Sequence, residues 1–136
     1  MTSFKAIHSE LVGDDPLLAN SLVHPDEVAD EGPTALLHEE SPDGLQVGVE
    51  AIREGHLLHW GEGRLVKTED SDLALLAGDR LYALGLERVA ATGNEASIRA
   101  LSRLIKESAA AMAAKSEVAS EDVWTATCAK IGAPES

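Results

Sequence analysis

Between Asp72 and Asn94 the sequence reads DLALLAGDRLYALGLERVAATGN, and no other stretch restricts the fold as much. Leu and Ala dominate it, and both favour a helix over a strand. Its apolar side chains recur at helical spacing, which predicts one helix over 72–91. Thr92-Gly93 is expected to stop that helix, because glycine takes the left-handed cap conformation without a Cβ penalty. Ala74, Gly78, Leu81 and Gly85 fall near one face, where small residues let a second helix approach closely. Ordinary core packing is the expectation for that face. Asp79 sits beside it, and a buried carboxylate without a partner would be costly. Asp79 is therefore expected to be solvated, protonated, set in a polar cavity, or paired. The bases within reach of such a pairing are Arg64, Lys67, Arg80 and Arg103.

The rest of the chain follows the same helical logic. Phe4, Ile7, Leu11 and Val12 predict a short amphipathic helix. Asp15 and Pro16 suit the start of another, with Leu17, Leu18 and Leu22 as its buried face. A helix led by Ser41 or Asp43 is expected to bury Leu45, Val49, Ile52, His56 and His59, with Glu50 and Glu54 flanking. Gly44, Gly48 and Gly55 weaken it, each by about 1 kcal/mol against Ala. Asn94 is placed to cap the next helix, whose stripe is Ile98, Leu101, Leu104, Ile105, Ser108 and Met112. Ser120 is expected to cap a last helix carrying Val123, Trp124, Thr127, Cys128 and Ile131, ended by Gly132 and Pro134. Short helices on short loops predict an all-α fold, an antiparallel helical bundle. A single domain over 1–136 is expected, with short acidic helices over 1–40 and the main helices over 41–132.

Charge and composition exclude some functions. The net charge of -13 opposes nucleic-acid phosphates and anionic membrane surfaces. No apolar run is long enough to cross a bilayer, and the N-terminus lacks a signal-peptide core, so a cytoplasmic location is expected. The lone Cys128 can form neither an internal disulfide nor a thiolate cluster.

The stretch LALLAGDRLYALGLERVAATGNEASIRALSRLI resembles the mid-chain helix pair of the trans-isoprenyl diphosphate synthases, with Ala77, Gly78 and Asp79 at that family's Ala-Gly-Asp triplet. Upstream, SLVHPDEVADEGP is similar to the family's first aspartate-rich segment, which lies on a helix. Asp26 and Asp30 match its outer positions and Glu27 the middle one. The resemblance implies an isoprenoid-synthase-like fold, with Asp26, Glu27 and Asp30 as metal ligands. It also implies Asp79, Arg64 and Lys67 as substrate-binding residues. The paired arginines that follow the acids in that family are missing here, and its second acidic motif would lie beyond the last residue. The expectation is a non-catalytic chain, similar to the small subunit of two-component heptaprenyl-type synthases. Such a chain would pair with a catalytic partner or with itself and carry no cofactor.

A different class remains open on the same residues. Carboxylates one helical turn apart can share Mg²⁺ with a diphosphate, so the 26–31 acids would suit a small Mg²⁺-dependent enzyme or sensor. Residues 14–52 hold no Lys or Arg to meet that diphosphate. His56, His59 and Glu62 have a spacing that could hold a metal on a continuous helix, although backbone or water partners are the simpler expectation. A ligand-free helical dimer is the plainest alternative.

Overall fold

The computed structural model describes residues 2–14, 16–28, 32–37 and 43–132. Among the described residues six α-helices follow one another: α1 (Thr2–Val12), α2 (Pro16–Asn20), α3 (Asp43–Trp60), α4 (Ser71–Ala91), α5 (Glu95–Ala113) and α6 (Glu117–Gly132). Two 3-10 turns, Pro25–Glu27 and Gly32–Leu36, lie between α2 and α3. Among the described residues there is no β-sheet, and the fold is all-α. One isolated β-bridge pairs Leu22 with Val66.

The central element is α3, which is buried on nearly every side. One side of it, with Val47, Ala51 and Leu58, packs with Phe4, Ile7 and Leu11 of α1, Leu18 of α2, and Ala77, Leu81 and Leu84 of α4. The other side, with Leu45, Val49 and Ile52, packs with Val89, Leu101, Leu104, Trp124 and Cys128. A helix wedged between two apolar clusters has no solvent face. Glu50 and Glu54 therefore do not flank the buried face, as their spacing suggested, but lie inside it.

α3 and α4 run antiparallel at very close approach. Gly55 meets Gly78, and Gly48 meets Gly85. A methyl group on Gly48 would lie 2.8 Å from the Gly85 carbonyl oxygen, and one on Gly85 would lie 2.6 Å from that of Gly48. The glycines expected to weaken α3 instead let its backbone touch α4.

The predicted helix ends hold where local chemistry decides them. The Asp70 carboxylate accepts the Asp72 and Leu73 N–H groups at the start of α4. Gly93 has φ +72°, and the Asn94 side chain accepts the Ser97 N–H at 3.0 Å. Other expectations need correction. Leu17 is exposed, because α2 is barely more than one turn and presents only Leu18 to the core. Ser120 is not a cap: α6 starts a turn earlier, Ser116 Oγ accepts the Ala119 N–H, and Ser120 is buried facing α3. Asp15 and Ser41 lie outside the described residues.

Candidate functional site

The five predicted site residues that are described, Asp26, Glu27, Arg64, Lys67 and Asp79, do not gather in one place. Asp26 and Glu27 are exposed on the 3-10 turn rather than on an α-helix. His24 Nδ1 accepts the Asp26 N–H at 3.2 Å and lies 3.5 Å from the Asp26 carboxylate. Asp30 lies outside the described residues. Lys67 is exposed, and its N–H donates to the Ser21 carbonyl at 2.8 Å. It lines a cavity of about 370 Å³ with Leu58, Gly63, Val66 and Ala74. No hydrogen bond or ion pair joins Asp26, Glu27, Lys67 or Asp79 to one another among the described residues. Nor do three or more His, Cys, Asp or Glu among them come together to hold a metal ion.

Arg64 is turned inward. Its Nε donates to Glu54 Oε1 at 3.2 Å, and Nη1 lies 3.6 Å from Glu50 Oε1. The guanidinium also sits 5.0 Å above the Phe4 ring. Glu54, fully buried, accepts the Leu65 and Val66 N–H groups at 2.8 and 3.1 Å. The loop between α3 and α4 thus folds around a buried carboxylate. A Cβ on Gly63 would lie 2.5 Å from the Val66 carbonyl oxygen and 2.6 Å from that carboxylate, so only glycine fits there. The same loop holds the N-terminal segment through the bond from Val23 N–H to the Leu65 carbonyl.

Asp79 receives a different partner from those expected. His59 Nε2 lies 3.3 Å from Asp79 Oδ1, an ion-pair separation without hydrogen-bond alignment. The His59 ring occupies the space over Gly78, where a Cβ would lie 2.6 Å from Nε2, and stacks obliquely on Tyr82. Burial and the Asp79 charge push the Tyr82 hydroxyl up to about 12. Ala77 is buried in the core, Gly78 clears room for α3, and Asp79 is 69% exposed. Each member of the triplet thus has a distinct structural role. Arg80 turns to Asp14 at 2.6 Å instead of to Asp79.

Two features lay outside the sequence expectations. The first is a polar layer between α3 and α6. Arg53 pairs with Glu121 at 2.8 Å and lies 5.0 Å over the Trp124 ring. His56 packs on the same ring, with Nε2 3.5 Å from Ser120 Oγ. Burial, then the charges of Arg53 and His59, hold His56 down at about 4. His56 and His59 therefore face different helices, and Glu62 lies past the end of α3. Burial, reinforced by Glu50, pushes the Cys128 thiol up to about 12, which makes it a poor nucleophile. The heptad spacing shared by Gly48 and Gly55 with Gly78 and Gly85 was the available signal that α3 and α4 pair at close approach.

The second feature is the outer face of α4. Leu75, Leu76 and Leu86 are 54%, 68% and 38% exposed there. At 100° per residue, Leu75, Leu76, Asp79, Ala83, Leu86 and Ala90 fall within an arc of about 100°. Exposed leucines so grouped mark an interaction surface more often than scattered ones do. In comparisons with family models, curated proteins and solved structures, no match to the chain is found.

Proposed function

We propose that this chain is a non-catalytic interaction subunit: an isoprenoid-synthase-like helical accessory chain that works by binding another protein. The observation that carries this reading is the leucine face of α4, open to solvent on an otherwise well-packed hairpin. The internal use of Arg64 supports it, since a guanidinium held by Glu54 and Glu50 is not presented to a diphosphate. The Ala-Gly-Asp triplet is compatible with such descent, because its first two residues serve the close pairing of α3 and α4. A catalytic prenyl diphosphate synthase from the same organism is the partner the resemblance implies, with a copy of this chain as the other.

Two measurements test the reading. Sedimentation of the chain alone and mixed with that synthase is expected to show a complex. Thermal melting with Mg²⁺ and geranyl, farnesyl or geranylgeranyl diphosphate is expected to show no selective rise. A Mg²⁺-dependent rise with one of these diphosphates would favour the small enzyme or sensor instead, since a ligand that binds the folded state raises its midpoint by mass action.

A further inference from the structure

We infer that the outer face of α4 docks a basic amphipathic helix from a partner protein. The inference rests on the interaction-subunit reading and specifies the chemistry of the partner. Leu76, Asp79, Ala83, Leu86 and Ala90 follow heptad spacing, the pattern a second helix packs along, with Leu75 beside them. Ala83 and Ala90 are small enough for close approach. Anchors repeated at such positions are how one helix receives another.

Charge selects the partner. The two arginines of α4 are turned aside: Arg80 pairs with Asp14, and Arg88 pairs with Glu10. The charged groups left exposed with the leucines are Asp72, Asp79 and Glu87, all carboxylates. His59 Nε2 lies 3.3 Å from the Asp79 carboxylate, which is otherwise open to solvent. A second copy would set carboxylates against carboxylates, and each copy carries a net charge of -13. Like charges brought together at an interface are unfavourable, whereas Lys or Arg flanking an apolar stripe would meet these acids in complementary fashion. An anionic membrane is disfavoured for the same reason.

The test uses two labelled synthetic helical peptides, each with leucines at the a and d positions. One carries lysines at e and g, the other glutamates. Fluorescence anisotropy should show binding of the lysine peptide alone. Combining Leu75→Ser, Leu76→Ser and Leu86→Ser should weaken that binding at least about tenfold, because apolar anchors dominate such contacts. Combining Asp72→Asn and Glu87→Gln should weaken it and flatten its dependence on salt. Leu17→Ser, on exposed α2, should leave it unchanged. Circular dichroism checks that each variant keeps its helices. Equal binding of both peptides, or undiminished binding by the leucine variant, overturns the inference. Preferential binding of the leucine face to phosphatidylcholine vesicles also overturns it. A homodimer broken by the leucine substitutions would overturn the basic-helix partner while leaving the interaction-subunit reading intact. Selective Mg²⁺-dependent binding of an isoprenyl diphosphate would instead overturn that reading.

Discussion

Gly55 and Gly78 face each other across α3 and α4 so closely that a methyl group on Gly55 would lie 2.9 Å from the Gly78 carbonyl oxygen. The obstructing atom belongs to the backbone, which cannot rotate out of the way. The Gly48–Gly85 pair repeats this arrangement one heptad along the hairpin. These contacts fix the distance between the helices.

Gly85→Ala is therefore expected to destabilise the fold, although alanine is the better helix former. The propensity gain is about 1 kcal/mol. Overpacking against the Gly48 carbonyl and the Ile52 side chain costs about 1–3 kcal/mol. Because the Gly48 backbone cannot yield, the upper part of that range is expected to prevail. The net loss should read as a lower urea midpoint. Gly13→Ala, whose Cβ would find only ordinary contact, is the control.

Glu54→Ala should cost more. Removing that carboxylate takes away a charge partner of Arg64 and the acceptor of the Leu65 and Val66 N–H groups. Breaking a buried pair on one side typically costs about 3–5 kcal/mol. Amide exchange should localise the damage, with Leu65 and Val66 losing protection beyond the global change. Glu62→Ala, at an exposed position past α3, should have little effect on either measurement.

The contrast between Asn94 and Glu54 explains what the sequence could tell. The cap at Asn94 is satisfied by a residue three positions away, so its chemistry is written locally. The all-α fold follows likewise from local helix preference. Glu54 looks like a solvated helix residue until the loop beyond α3 wraps around it. Its burial depends on α1, α4 and α6 enclosing α3, which no single window reveals. The candidate site failed to gather for a related reason. Arg64 and Asp79 are close in sequence to complementary groups, but Glu54 and His59 reach them first.

His56 should give the protein a pH-dependent stability. Its folded-state value is lowered from 6.5 to about 4 by burial and by the charges of Arg53 and His59. Below pH 6.5 the unfolded chain takes up a proton that the folded chain refuses. This contribution is fully present above that pH, declines as the pH falls, and levels off below about 4. By pH 5 the loss is about 2 kcal/mol. His56→Gln is expected to remove that part of the slope between pH 7 and pH 5. The comparison is of slopes in urea unfolding, so a uniform loss caused by repacking beside Trp124 and Ser120 does not obscure it.

Cys128 provides an independent check on the core. It is fully buried between α3, α5 and α6, and its thiol is held well above neutral pH. A thiol reagent at neutral pH is expected to label it no faster than the protein opens, and fully in denaturant. Rapid labelling of the folded protein would contradict the described packing of α6.

The Asp79–His59 pair is predicted to be nearly neutral for stability. Asp79 is largely exposed, and its distance to His59 lacks hydrogen-bond alignment. Exposed pairs of this kind contribute about 0–1 kcal/mol. Asp79→Asn should thus shift the urea midpoint only slightly, and added salt should shrink the difference further. Gly78→Ala, one residue earlier, should destabilise far more, because its Cβ would press on His59 and approach the Gly55 carbonyl oxygen to 3.3 Å. The comparison separates the two roles of the triplet. Gly78 is expected to matter for seating His59 and α3 against α4, whereas the fold is expected to spare the carboxylate of Asp79. A selective effect of Asp79→Asn on partner binding would then identify that charge as part of the contact surface.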